Sequence, residues 1–160
     1  MKLIYTASQV REAEKPYIEA VDYDGYLMQR AADAVAAEAQ ELLHGTENAK
    51  ILLLIGPGNN GADTIYAGAR LSAKGHRVDA VIFDPSEKNL ELIAREGGEG
   101  TRVLDPEHTL EHLTGYDLTI DGILGTGSSG AVRGSAGEYL GVLRAAQLDG
   151  KLGAVLAVDT

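Results

Sequence analysis

The hydrophobic rhythm of the chain changes near Lys50. Before that point apolar residues recur at helical spacing. Leu27, Met28, Ala31, Val35, Ala39, Leu42 and Leu43 form one stripe, which predicts a helix from about Tyr26 to Leu43 ended by Gly45. An earlier helix is predicted from Gln9 to about Ala20, with Ser8 as N-cap, Glu12 close to a capping-box position and Asp24-Gly25 as the break. After Lys50, short apolar runs alternate with helical stretches. The runs are 51–55, 78–83, 101–104, 118–120 and 154–158; the stretches lie near 64–74, 87–96, 109–113 and 138–147. Nearly continuous apolar strands alternating with helices predict a parallel sheet covered on both faces, whose ligands bind at the carboxyl ends of the strands.

Two glycine-rich loops follow strands and so open on one edge. Gly56-Pro-Gly-Asn-Asn-Gly-Ala-Asp63 comes after Ile51–Ile55, and Gly122-Ile-Leu-Gly-Thr-Gly-Ser-Ser-Gly130 comes after Ile120-Asp121. A strand, a glycine loop and a helix start make a cradle for an anion, because backbone N–H groups and the helix N-terminus carry partial positive charge. Gly56-x-Gly58-x-x-Gly61 also matches the dinucleotide fingerprint, with Asp84 near the position of its ribose-binding acid. Pro57 and the paired asparagines depart from that loop, and Asp84-Pro85 reads as a strand-end turn. Asp63 is placed either to cap the following helix or to meet a ligand; the amide oxygens of Asn59 and Asn60 suit a hard cation. Asp121 sits where a buried strand meets a loop, so it needs a cation, hydrogen-bond donors or a catalytic task to offset its burial. Arg133 either meets a phosphate or is solvated, and Asp159 is a third strand-end acid on the same edge.

Composition narrows the function. At 160 residues the chain fits one domain, and its net charge of −10 argues against nucleic acid as partner. It contains no cysteine, which excludes disulfides and thiolate metal sites, and no run reaches the length of a membrane span. A cytoplasmic enzyme is the expectation. His108 and His112 have metal-pair spacing, but without a third ligand they read as surface residues. The strand at 154–158 runs to the end of the sequence, which suggests a C-terminally incomplete domain.

The loop at 56–63, Asp121-Gly-Ile-Leu-Gly-Thr-Gly at 121–127 with Arg133, and Val158-Asp159 resemble the YjeF N-terminal domain family, the NAD(P)H-hydrate epimerases. The resemblance spans the chain. It implies a Rossmann-like three-layer α/β/α sandwich preceded by two helices, and interconversion of the R and S forms of hydrated NADH or NADPH. An S-specific dehydratase would be the functional partner, and a homodimer is expected. By the same resemblance Asn59, Asn60, Gly61, Ala62 and Asp63 bind substrate, as do Gly125, Thr126, Gly127, Ser128, Ser129, Gly130, Ala131 and Asp159. Asn60 and Asp121 hold a potassium ion. Independently of the resemblance, Asp121 as the acid at the loop mouth is the candidate to carry the chemistry, by shuttling the hydroxyl proton or stabilising a ring cation. The family commonly has glycine at the position of Ala62, where a methyl is expected to crowd a close ligand, and Asp-Gly where this chain has Asp63-Thr64. Its last motif continues Val-Asp-x-Pro-Ser-Gly, with the serine completing the potassium site. A non-catalytic Rossmann-like binding or scaffold module is the alternative. A nicotinamide oxidoreductase on the same fold would need a histidine, lysine or tyrosine near the loops, and the sequence offers none there.

Overall fold

The computed structural model describes residues 5–20, 25–97, 100–125 and 130–158. Two helices, α1 (Ala7–Ile18) and α2 (Tyr26–Leu42), precede alternating strands and helices: β1 (Lys50–Ile55), α3 (Asn59–Ala73), β2 (Arg77–Ile82), α4 (Glu87–Glu96), β3 (Thr101–Val103), α5 (Pro106–Glu111), the 3₁₀ turn η1 (Leu113–Gly115), β4 (Leu118–Gly122), α6 (Gly134–Leu148) and β5 (Ala154–Ala157). The five strands form one sheet in the order β3-β2-β1-β4-β5, and every pairing is parallel. The expected parallel sheet with helices on both faces is therefore what the chain forms.

The period-2 geometry of β1 divides the core. Ile51, Leu53 and Ile55 point into a cluster with Ala36 and Ala39 of α2, Ile65 and Leu71 of α3 and Leu92 of α4. Leu52 and Leu54 point the other way, against Leu113, Tyr116, Tyr139 and Leu143 beside η1 and α6. Only the central strands are covered on both faces. β3 is half-buried to exposed and β5 is mostly half-buried, because each lies at an edge of the sheet.

Several boundaries differ from the sequence reading. The N-cap of α1 is Thr6, not Ser8; the Gln9 backbone N–H donates to Thr6 Oγ1 (3.3 Å) and the Thr6 N–H donates to Gln9 Oε1 (2.9 Å). Glutamine at the third helical position completes that capping box, so Glu12 has no part in it. α3 starts at Asn59 with Gly58 as N-cap. Asp63 therefore lies inside the helix and cannot cap it; the glycine loop is shorter than its polar content suggests.

Candidate active site

The sheet order reverses at β1, whose two neighbours are β2 and β4. Helices after such a switch point leave on opposite faces and open a crevice at the strand ends. The loops after β1 and β4 both emerge there, and they touch. Gly56 N–H donates to Gly122 O (3.2 Å), and a Cβ on Gly56 would lie 2.0 Å from Ile123 O. Glycine at 56 is what allows the backbones to approach this closely.

Asn60 is the hub of the crevice. Its Nδ2 donates to Val158 O at the end of β5 (3.0 Å), across 98 residues of sequence. Val158 N–H in turn donates to Asp121 O (2.9 Å). Asn60 and Asp121 thus share Val158 as a bonded neighbour. Thr64 Oγ1 donates to Asn60 O (2.8 Å), and the bare Cα of Gly122 leaves room for both. A Cβ on Gly125 would fall 2.6 Å from Asn60 Oδ1 and 2.3 Å from Nδ2, so the second loop also closes against this side chain.

Asp121 is half-buried at the penultimate position of β4. Its Oδ1 accepts the Ile123 N–H (3.1 Å). Burial pushes its carboxyl above the usual carboxylate range, and the Ile123 hydrogen bond opposes that rise. That rise makes the Asp121 carboxylate a stronger base than an exposed one, the property that taking up a proton requires.

The other expected positions divide by environment. Asn59 is exposed at the first turn of α3, Asp63 is half-buried, and Gly61 is buried. A Cβ on Gly61 would meet Gly56 O at 2.0 Å, so this glycine is a packing requirement of the loop as well. The Ala62 side chain packs in the core cluster with no solvent exposure, so its methyl does not crowd the crevice. Gly130 and Ala131 are exposed at the entry to α6, as is Arg133, its N-cap. Thr126, Gly127, Ser128, Ser129 and Asp159 lie outside the described residues. Asp84 is exposed in a left-handed turn (φ 45°), the strand-end turn expected for it.

Asn89 escapes sequence reading. It sits in the first turn of α4, almost wholly buried at 1% exposure. Its Nδ2 donates to Gly56 O (2.8 Å) and Gly58 O (3.3 Å), clamping the first loop from the side. Nothing in the local pattern marks it, because asparagine near a helix start normally reads as a cap. Farther down the sheet, Asp79 of β2 is buried and receives Arg102 Nε and Nη2 and the Tyr116 hydroxyl at 2.8, 2.9 and 2.9 Å. That network joins β2, β3 and the approach to β4. His108 and His112 are exposed as expected, but Glu111 supplies the third ligating group that the sequence reading lacked.

Among the described residues no helix is long and apolar enough to cross a membrane. A yeast protein, ynu0, has a crystal structure similar to this fold (TM-score 0.78, 18% identity), covering 99% of this chain and 70% of that one. The chain is 36% identical over 139 residues to a bifunctional NAD(P)H-hydrate repair enzyme of Corynebacterium glutamicum, covering 82% of this chain and 23% of that protein. It is also 36% identical over 135 residues to an NAD(P)H-hydrate epimerase of Microbacterium testaceum, covering 82% and 50% respectively. It thus spans half or less of the length of these two curated relatives. Residues 25–160 match the family described as YjeF-related protein N-terminus, and the chain belongs to that family.

Proposed function

We propose that the chain epimerises hydrated NADH and NADPH, interconverting the R and S forms at the hydroxyl-bearing carbon beside the ring nitrogen. The observation that carries this reading is the convergence of two strand-end loops on Asn60, beside a half-buried Asp121 whose proton affinity is raised. The family membership and the relatives named as NAD(P)H-hydrate epimerase and repair enzymes support it.

The chemistry asks little of the protein beyond placement. The Asp121 carboxylate takes the hydroxyl proton as the ring carbon–nitrogen bond opens. The nitrogen gains a proton from solvent and the hydroxyl carbon becomes a carbonyl. Closure reverses each transfer, and attack on the opposite carbonyl face gives the other epimer. The N–H groups at the start of α3 offer partial positive charge to the phosphates of the substrate. A potassium ion fits the donor set: Asn60 spends its N–H on Val158 and keeps its amide oxygen, and Asp121 adds a carboxylate. Asn60 and Asp121 would hold that ion, which would supply positive charge beside the reacting oxygen. An S-specific dehydratase, fused or separate, then consumes the product. The domain works as a homodimer in the cytoplasm.

The test is proton NMR of an R/S mixture of hydrated NADH in which an S-specific dehydratase has depleted one epimer. Potassium and this chain should restore the equilibrium ratio. The Asp121→Asn variant should remain folded and fail to do so, and its potassium affinity separates loss of the base from loss of the ion. Full epimerisation by that variant would remove Asp121 from the chemistry. No acceleration by the folded wild-type chain would favour a binding module.

A further inference from the structure

A second cluster of ligating groups lies away from the crevice, on the connection that leads into the start of β4. His108, Glu111 and His112 are all exposed, and one ligand atom from each lies within 4.8 Å of the others. Their spacing of i, i+3 and i+4 puts them on one face of α5 and its C-terminal edge. The flanking face is anchored: Thr109 is fully buried, its hydroxyl donates to Pro106 O (2.9 Å) and lies 2.7 Å from the Tyr139 hydroxyl of α6. The ligating face therefore stands on a fixed base.

The ring of His112 is already oriented. Its Nδ1 lies 2.9 Å from the His108 carbonyl oxygen. A carbonyl only accepts, so the neutral ring carries its proton on Nδ1 and presents the Nε2 lone pair outward. An N–H held by a backbone carbonyl is the support that metal-binding imidazoles commonly have. The two imidazole rings lie with centroids 4.8 Å apart and an interplanar angle of 33°.

We propose that His108, Glu111 and His112 form a surface site for a divalent transition-metal ion of the zinc type. Two imidazole nitrogens and one carboxylate oxygen select such an ion over magnesium or calcium, which prefer all-oxygen shells. Three protein ligands leave a fourth position for water. Tetrahedral ligands around zinc stand about 3.4 Å apart, so the side chains close in by roughly an ångström on binding, a rotation that exposed side chains make freely. The ion fastens α5, and through η1 the entry to β4.

Zinc chloride titrated into the whole chain tests this, read by calorimetry and by the histidine ring signals in NMR. One equivalent should bind. The His108 and His112 signals should shift while those of His44 and His76 stay in place. The His108→Ala, His112→Ala and Glu111→Gln variants should each weaken binding by about tenfold or more. Because these residues are exposed, the variants should melt like the wild type in the presence of a chelator. Magnesium chloride in the same titration should give no saturable binding. Unchanged zinc affinity in the two alanine variants would overturn the proposal. So would shifts confined to the other histidines, or no binding at 100-fold excess of zinc over protein.

Discussion

Replacing Asn89 with leucine removes the donors that clamp the glycine loop while keeping the same branched heavy-atom skeleton. Two backbone carbonyls lose a donor: Gly56 O, bonded at 2.8 Å, and Gly58 O, whose 3.3 Å contact is long and contributes less. An unsatisfied buried acceptor costs about 1–3 kcal/mol, so the pair together should cost about 2 kcal/mol. In a domain of this size each kcal/mol lowers Tm by roughly 2–4 °C, which gives a drop of about 4–8 °C. Urea unfolding should show the same loss as a lower midpoint with an unchanged slope. The loop carries Asn59 and Asn60 at the start of α3, so epimerisation should fall more steeply than stability, by roughly tenfold to a hundredfold, as expected for a site displaced by about an ångström. Asn89→Asp supplies the control. It keeps the shape but turns an acceptor toward two carbonyls, and should be worse than leucine on both measures. A leucine variant that melts within 1 °C of the wild type and epimerises normally would refute the clamp. An aspartate variant that outperforms leucine would show that the amide donor is not what matters.

Gly125→Ala should abolish epimerisation and weaken potassium binding at least tenfold, because the new Cβ would fall 2.3–2.7 Å from the Asn60 amide; a melting curve within a few degrees of wild type would show that the loss is local. Tyr116→Phe should cost about 1.5–3 kcal/mol in urea unfolding by removing a hydrogen bond to the buried Asp79 carboxylate. Burial and Asp79 both push the Tyr116 hydroxyl up, so it remains a donor across the neutral range and the loss should not vary with pH there. His76 should make stability fall on acidification. Burial, then the Lys74 charge, hold its imidazole below the usual 6.5, with Asp117 opposing; its Nδ1 accepts the Ala49 N–H. With the folded pKa depressed, the unfolded chain binds more protons, so this contribution is complete above about pH 6.5 and is lost as the pH falls from there toward the lowered folded value. Melting between pH 7.5 and 5.5 should therefore drop less steeply in His76→Gln than in the wild type.

The strands and their order of alternation with helices were legible because the central ones are apolar on both faces and bounded by glycine. Ile51–Ile55 is the plainest case: each side of the run has its own core. The edge strands are each one residue shorter than their apolar runs suggest. Thr101–Val103 and Ala154–Ala157 carry apolar residues without full cover, since an edge strand buries one side less. Ser8 and Asp63 have the side chains of N-caps, but Thr6 and Gly58 stand ahead of them and start the helices sooner. At the site, Asp121 is legible as a polar residue at a strand end and Asn60 as one in the glycine-rich segment that follows a strand. Asn89 and Thr64 are not, because their partners are backbone atoms brought near by the crossover connections. Glu111 carries no local signal of its own, because an exposed acid near the end of a short helix reads as ordinary solvated charge until the fold brings it beside His108 and His112.

The hydrogen bond from Asn60 to Val158 has a kinetic meaning. It joins groups 98 residues apart, and β1 meets β4 only after α3, β2, α4, β3, α5 and η1 have been traversed. Such pairings pay their loop-closure entropy before they return any contact, so they form late. On that ground the crevice should be among the last parts of the molecule to assemble. A ligand seated there stabilises contacts that the folding transition state lacks. It should slow unfolding and leave the folding rate almost unchanged, so that occupancy sets how long a folded molecule lasts rather than how quickly one is made.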